Sequence, residues 1–177
     1  MKIIKTSIKD LVVVKQLNNT DNRGSLRETF NKKILKKKFV FEYCTTSKKN
    51  VLRGFHFQTK FQQSKYVNVV KGKILDVVID LRKKSKTFGK TFKIILSKEN
   101  ALGLYIPAGF GHAYYSFNKE NIIYYKLDNY YMPKFESGLI YNDKDLNIKW
   151  PKKNMSISKK DKALLTFANF CKISDGL

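Results

Sequence analysis

Cysteine appears only twice in this chain, as Cys44 and Cys171, far apart and without metal-ligand spacing. That excludes a disulfide framework and a zinc module, and fits free thiols in a reducing compartment. Long apolar runs are missing: none approaches the ~18 residues that a membrane-spanning helix needs. The opening Met1-Lys2-Ile3-Ile4-Lys5 has no extended apolar segment of the secretory kind. The expectation is therefore a cytoplasmic protein with no membrane partner. Glycine-rich phosphate loops of the dinucleotide and P-loop types are absent, as is a Gly-x-Ser-x-Gly elbow. With only His56 and His112, and no His-x-His pair, nothing suggests a metal centre. No cofactor and no metal are expected.

Acidic residues are also few, 14 against 36 lysines and arginines, for a net charge of +22. Such a balance raises the question of nucleic acid. The lysines, however, come in scattered small groups, such as Lys36-Lys37-Lys38 and Lys159-Lys160, and groups of this kind are usually solvated faces. No nucleic-acid partner is expected, although a basic surface suits an anionic small substrate. The 177 residues make one ordinary domain, able to bury a real core. No internal repeat or linker divides 1–177.

Short alternating segments punctuated by turns fill most of the chain. Strands are expected near Leu11–Val14, after the Asp21-Asn22-Arg23-Gly24 turn, over Phe39–Thr46, and over Thr91–Leu96 and Leu104–Pro107. Two pairs read as β-hairpins: Lys65–Val70 with Ile74–Leu81 about Lys71-Gly72-Lys73, and His112–Phe117 with Asn121–Leu127. Residues 31–38 read as a basic connection or short helix, and residues 134–149 as irregular. Ser156–Phe167 reads as the one clear helix, with Ser158 and Asp161 at capping-box spacing. Many short strands and one late helix predict an all-β jelly-roll sandwich or barrel.

The most informative stretch is Leu52-Arg53-Gly54-Phe55-His56-Phe57-Gln58. A glycine within a strand marks a bulge or a close backbone approach. On either side stand one of four arginines and one of two histidines. Arginine offers a bidentate fork for phosphate, and histidine titrates near neutrality. Together they could set a phosphate anchor beside a proton acceptor. Read alone, the stretch equally fits a surface Arg and a core His. His, Tyr, Lys and Asp on neighbouring strands form a set suited to proton abstraction next to a carbonyl.

These motifs, with Gly72–Arg82, Ser85-Lys86-Thr87-Phe88-Gly89, Ile106–Ala113, Tyr125-Lys126, Tyr130-Tyr131, Asn142-Asp143 and Trp150-Pro151, resemble the dTDP-4-dehydrorhamnose 3,5-epimerases. The resemblance runs in order over roughly residues 8–165. It implies a homodimeric, cupin-like jelly roll that inverts C3 and C5 of a nucleotide-linked 4-keto-6-deoxyhexose without a metal. By that resemblance His56 is the base, Asp161 orients it, Tyr125 is the proton donor and Lys65 steadies the enolate. Arg23, Glu28, Arg53, His112, Tyr131, Glu136 and Lys160 fall at substrate-contacting positions. Some local alternatives stay open. Asp161 could simply cap a helix. Tyr124 rather than Tyr125 could face inward, since strand neighbours point to opposite faces. Asp76 could bond His112 or sit at an edge. The chain departs from the family at Phe41 and Tyr43, where a Gln-x-Asn pair is usual, which points to altered contacts with nucleotide or sugar. A single-centre epimerase or a ketoisomerase on a related sugar nucleotide is the alternative reading.

Overall fold

A computed structural model of the chain describes residues 1–174 and 176–177. Its strands in chain order are β1 (Lys2–Lys5), β2 (Val12–Lys15), β3 (Leu17–Asp21), β4 (Gly24–Glu28), β5 (Phe41–Lys48), β6 (Leu52–Gln58) and β7 (Lys65–Lys71). There follow β8 (Lys73–Asp80), β9 (Thr91–Ser97), β10 (Leu102–Ile106), β11 (Phe110–Ser116), β12 (Glu120–Leu127) and β13 (Glu136–Gly138). Helices are few and short: α1 (Lys32–Leu35), α2 (Lys159–Lys162) and α3 (Phe167–Ile173). The strands form a six-stranded sheet in the order β1-β2-β10-β7-β12-β5 and a five-stranded sheet in the order β13-β6-β11-β8-β9. The hairpin β3–β4 pairs only with itself. This is a jelly-roll sandwich with a short C-terminal helix.

Alternation along each strand fills three layers. Val67, Val69, Leu104, Ile123 and Leu127 of the first sheet meet Ile74, Val78, Phe110 and Tyr114 of the second between the sheets. The outer face of the second sheet, Phe55, Phe57, Val77, Ile79 and Ala113, is covered by the C-terminal segment through Leu139, Ile148, Trp150, Leu165 and Phe170. The outer face of the first sheet buries Val14, Tyr66 and Tyr105 under Leu35, Phe30 and Phe39. Burying an aliphatic side chain of this kind is worth about 1.5–3 kcal/mol.

The two expected hairpins do not form. β7 pairs with β10 and β12, while β8 pairs with β9 and β11, so the chain changes sheets at Gly72; β11 and β12 likewise lie in different sheets. Turn residues report a reversal, but they do not say whether the returning strand lies beside its predecessor or across the core from it. Here the corners lock each other. Gly72, at φ +80°, leaves room for Asn121, whose Oδ1 would lie 2.6 Å from a Cβ at that position. Buried Asn121 accepts from Lys73 N at 3.1 Å and donates to Ser47 O at 3.0 Å.

The expected helix over Ser156–Phe167 is also wrong. Only Lys159–Lys162 is helical there; Ser156 bridges to Val51 and Leu165 to Leu139 in extended conformation. The longer helix starts at Phe167, capped by Thr166 and anchored where Phe167 N donates to Asp143 Oδ2 at 2.7 Å. Backbone pairing to the second sheet thus outweighs local helix preference. Within the segment expected to be irregular, β13 adds an edge strand to β6.

Candidate active site

The bulge at Gly54 makes the site possible. On β11, His112 and Tyr114 are two positions apart; on β6, their partners His56 and Arg53 are three apart. The extra residue turns Arg53 and His56, which simple alternation would send to opposite faces, toward the same one. Gly54 sits at φ +113°, and a Cβ there would lie 2.4 Å from His112 O. Only glycine fits so close an approach. His56 and His112 are direct cross-strand partners on this face.

Both histidines are held by carboxylates. His56 Nε2 lies 2.8 Å from Asp161 Oδ1, and Gly54 N donates to Asp161 Oδ2 at 3.2 Å. Burial works to raise the Asp161 carboxyl, but its hydrogen bond with His56 helps leave it below its ordinary value. A carboxylate accepts only, so Nε2 carries the proton, and in a neutral imidazole the other ring nitrogen is then the one with a lone pair. The His56 side chain is 31% exposed and Asp161 5%: the imidazole faces the cleft while its partner is shut away. Ser158 caps α2 by accepting from the Asp161 backbone N. Asp161 thus sits in a capped turn with its carboxylate turned toward His56. His112 Nε2 bonds Asp76 Oδ2 at 2.9 Å, both side chains buried. The second oxygen, Asp76 Oδ1, is buried without a partner, a cost of about 1–3 kcal/mol.

The first sheet supplies the opposite wall. Tyr125 is 3% exposed and points between the sheets, its ring edge-on to His112 at 6.1 Å and stacked on Tyr43 at 4.8 Å. Tyr124 points outward to Glu42 and Lys126. Burial holds the Tyr125 phenol well above its usual range. Lys65 shares the inward face of β7 with Val67 and Val69. Its side chain is half-buried by surface area, yet desolvation lowers its ammonium to about 8 against the partial support of Glu136 and Asp76.

At the mouth, Glu136 accepts from Tyr131 and Lys160. Burial would raise the Glu136 carboxyl, and these two partners outweigh it. Tyr131 is 47% exposed. Arg53 is exposed and reaches across to β5. Phe41 and Tyr43 line the wall beside Tyr125, with Tyr130 near Phe41 at 6.2 Å. Nine of the eleven expected site positions are thereby accounted for around one cleft, Asp161 and Lys160 arriving from α2. Arg23 and Glu28 stand apart on the β3–β4 hairpin. There Arg23 bonds Asp21, and Glu28 accepts from Asn31 at 2.6 Å. Thr45, Ser47 and Tyr114 also face the cleft and were not singled out from the sequence. The signal was the alternation Phe41, Tyr43, Thr45, Ser47 on one strand. Among the described residues no group of His, Cys, Asp and Glu is placed to hold a metal ion. No helix is long and apolar enough to cross a membrane.

With a base on one sheet and a buried phenol on the other, the cleft can take a proton from one face of a flat substrate and return one to the opposite face.

The family model for dTDP-4-dehydrorhamnose 3,5-epimerase matches residues 5–169. A protein of that description from Shigella flexneri is 39% identical over 168 residues, spanning 91% of this chain and 93% of its own. The crystal structure of the Bacillus anthracis dTDP-4-dehydrorhamnose 3,5-epimerase, with TDP and PPi bound, is 36% identical. It covers 94% of this chain and 99% of that one, with a TM-score of 0.90. The Legionella pneumophila dTDP-6-deoxy-D-glucose-3,5-epimerase, in complex with dTDP-4-keto-L-rhamnose, is 35% identical over 93% of this chain and 92% of its own, with a TM-score of 0.89.

Proposed function

Since the chain belongs to the dTDP-4-dehydrorhamnose 3,5-epimerase family, we propose that it inverts C3 and C5 of a dTDP-linked 4-keto-6-deoxyhexose with His56 as base and Tyr125 as proton donor. The observation that carries the residue assignment is that His56 on β6, bonded to Asp161 of α2, has His112 as its cross-strand partner, whose ring meets Tyr125 of the other sheet edge-on. Both carbons flank the C4 ketone, so removal of either proton gives an enolate. The Lys65 ammonium and His112 stand where that charge develops, and Asp161 keeps His56 in the tautomer that can accept. Arg53 serves the diphosphate, Tyr131 the base, and Glu136 with Lys160 holds the mouth. The test is incubation with dTDP-4-keto-6-deoxyglucose in D2O, followed by NMR of the sugar. Deuterium at C3 and C5 with the rhamno configuration is expected. Exchange and inversion at one carbon alone would establish the single-centre alternative.

Lys65 gives the reading a pH signature. A lysine whose ammonium is lowered to about 8 is cationic below that value and neutral above it. If the cation supports the enolate, kcat/KM falls as the pH rises through about 8, and Lys65→Met removes that limb along with most of the rate. A profile flat from pH 7 to 9.5 in the wild type would count against a charged Lys65 in the chemistry. For folding the sign is opposite: the unfolded chain binds the proton more tightly, so this group's unfavourable contribution fades between about pH 8 and 10.5.

We further infer a homodimer in a reducing compartment such as the cytoplasm, where exposed Cys44 and Cys171 stay free. The β3–β4 hairpin exposes Leu17 (48%) and Leu26 (70%) and carries Arg23 and Glu28 away from the cleft. A second subunit would cover the leucines and accept those two side chains into its own site. Sedimentation at micromolar concentration is expected to give twice the chain mass; a fully active monomer would refute the assembly.

A further inference from the structure

Four side chains, Arg53, Ser47, Tyr114 and Thr45, hold one another in line and lead toward Tyr125. Arg53 Nε donates to Ser47 Oγ at 3.1 Å. Ser47 Oγ lies 2.8 Å from Tyr114 Oη, and Tyr114 Oη lies 3.1 Å from Thr45 Oγ1. Thr45 works to lower the Tyr125 phenol against the larger effect of burial. The register agrees: Tyr43 is the cross-strand partner of Tyr125, and Thr45 is the next residue along β5 on the same face. Ser47 and Tyr114 are almost fully buried, at 2% and 3%, so their hydroxyls depend on one another.

Arg53 fixes one end of this line as a donor. A guanidinium can only donate, and each hydroxyl has a single proton to give. Ser47 accepts from Arg53. Either oxygen can donate in the Ser47–Tyr114 and Tyr114–Thr45 bonds, and the order that brings a donor to Tyr125 has Ser47 donating to Tyr114, Tyr114 to Thr45 and Thr45 to the Tyr125 oxygen. Hydrogen bonds arranged head to tail from a cation polarise one another in a low-dielectric interior.

We propose that Arg53, Ser47, Tyr114 and Thr45 act as positioning residues, forming a directed hydrogen-bond line that aims a donor at the Tyr125 oxygen and supports its phenolate. This rests on the reading of Tyr125 as the proton donor. In that step the Tyr125 O–H bond breaks, its proton forms the new C–H bond with the enolate electron pair, and the negative charge settles on the phenolate oxygen. The enzyme resets when His56 loses its captured proton to water and Tyr125 regains one from water, so protons balance. Burial by itself makes that phenolate unfavourable, as the raised phenol of Tyr125 shows. A second carbon demands a second donation, so the cost recurs twice for each doubly inverted product.

The test measures inversion against deuterium exchange at C3 and C5 in D2O, for folded variants matched by thermal melting. Thr45→Val keeps the shape and removes the hydroxyl; Thr45→Ser restores it; Tyr114→Phe breaks the line one step further back. Thr45→Val and Tyr114→Phe are expected to lower the inversion-to-exchange ratio ~10-fold or more, with singly inverted sugar accumulating. Thr45→Ser should recover the wild-type ratio. Should Tyr114→Phe not fold, Ser47→Ala takes its place. An unchanged ratio in the two breaking variants, alongside loss of inversion in Tyr125→Phe, overturns the line but leaves Tyr125 as donor. Normal inversion in Tyr125→Phe overturns both.

Discussion

His56→Asn should reduce turnover by ~10²–10⁴ or more while dTDP affinity stays within a few fold. The imidazole combines a second ring nitrogen beyond the one bonded to Asp161, partial exposure and a fixed orientation. Asp161 supplies the orientation at 2.8 Å, and Gly54 N holds Asp161 in turn. An asparagine keeps a polar side chain of similar reach but cannot take a proton from carbon. In the proposed reading nucleotide binding rests on Arg53, Tyr131 and the mouth residues, which the substitution does not touch. The measurements are kcat, exchange of the C3 proton into D2O, and dTDP affinity by calorimetry. A variant that exchanged the C3 proton at the wild-type rate would show that His56 is not the base. Asp161→Asn should give a smaller loss and disturb the tautomer rather than remove the base, separating orientation from proton transfer.

Tyr125→Phe should divide the reaction in two. It removes one oxygen from a ring that is otherwise fixed by Tyr43 and His112. His56 remains, so the enolate still forms, and its proton exchanges with solvent. What is lost is the donor on the opposite face, since a single base returns the proton to the side it came from. Deuterium should therefore enter at one carbon or more with the original configuration, and inversion should fall by ~10² or more. Tyr124→Phe is the control: it lies on the outer face with Glu42 and should leave inversion intact. Normal inversion of both carbons in Tyr125→Phe, with loss in Tyr124→Phe, would mean that the strand is read in the wrong register.

Much of this cleft was legible because scarce residues were used sparingly. Two histidines and four arginines made His56, His112, Arg23 and Arg53 stand out, and the glycine between Arg53 and His56 pointed to the bulge that turns them to one side. Strand limits near β2, β5, β9 and β10 followed from alternation. What alternation could not carry was which sheet a strand joins. Lys71-Gly72-Lys73 is a good reversal whether β8 returns beside β7 or opposite it, and the choice depends on partners far along the chain. The tail failed for a related reason. Ser158 and Asp161 make a genuine cap, but Leu165 is drawn into a bridge with Leu139, a long-range contact that no local window contains. The Thr45–Tyr114–Ser47 cluster was invisible for want of charge: hydroxyl residues on a strand look ordinary until two sheets bring them together.

The same tail sets the order in which this protein comes into being. Every strand is complete by Gly138, whereas the partner of His56 is still 23 residues downstream, at position 161. The segment that carries Asp161 is also the one that roofs the second sheet through Leu165 and Phe170. A chain emerging from the ribosome, amino end first, therefore has its base before it has anything to aim it, and it still shows a bare apolar face. Completion of the roof and arming of the base are one event. A product shortened before Ser158 is expected to lose turnover, for want of the partner of His56, and to aggregate more readily, with Leu165 and Phe170 missing from the roof.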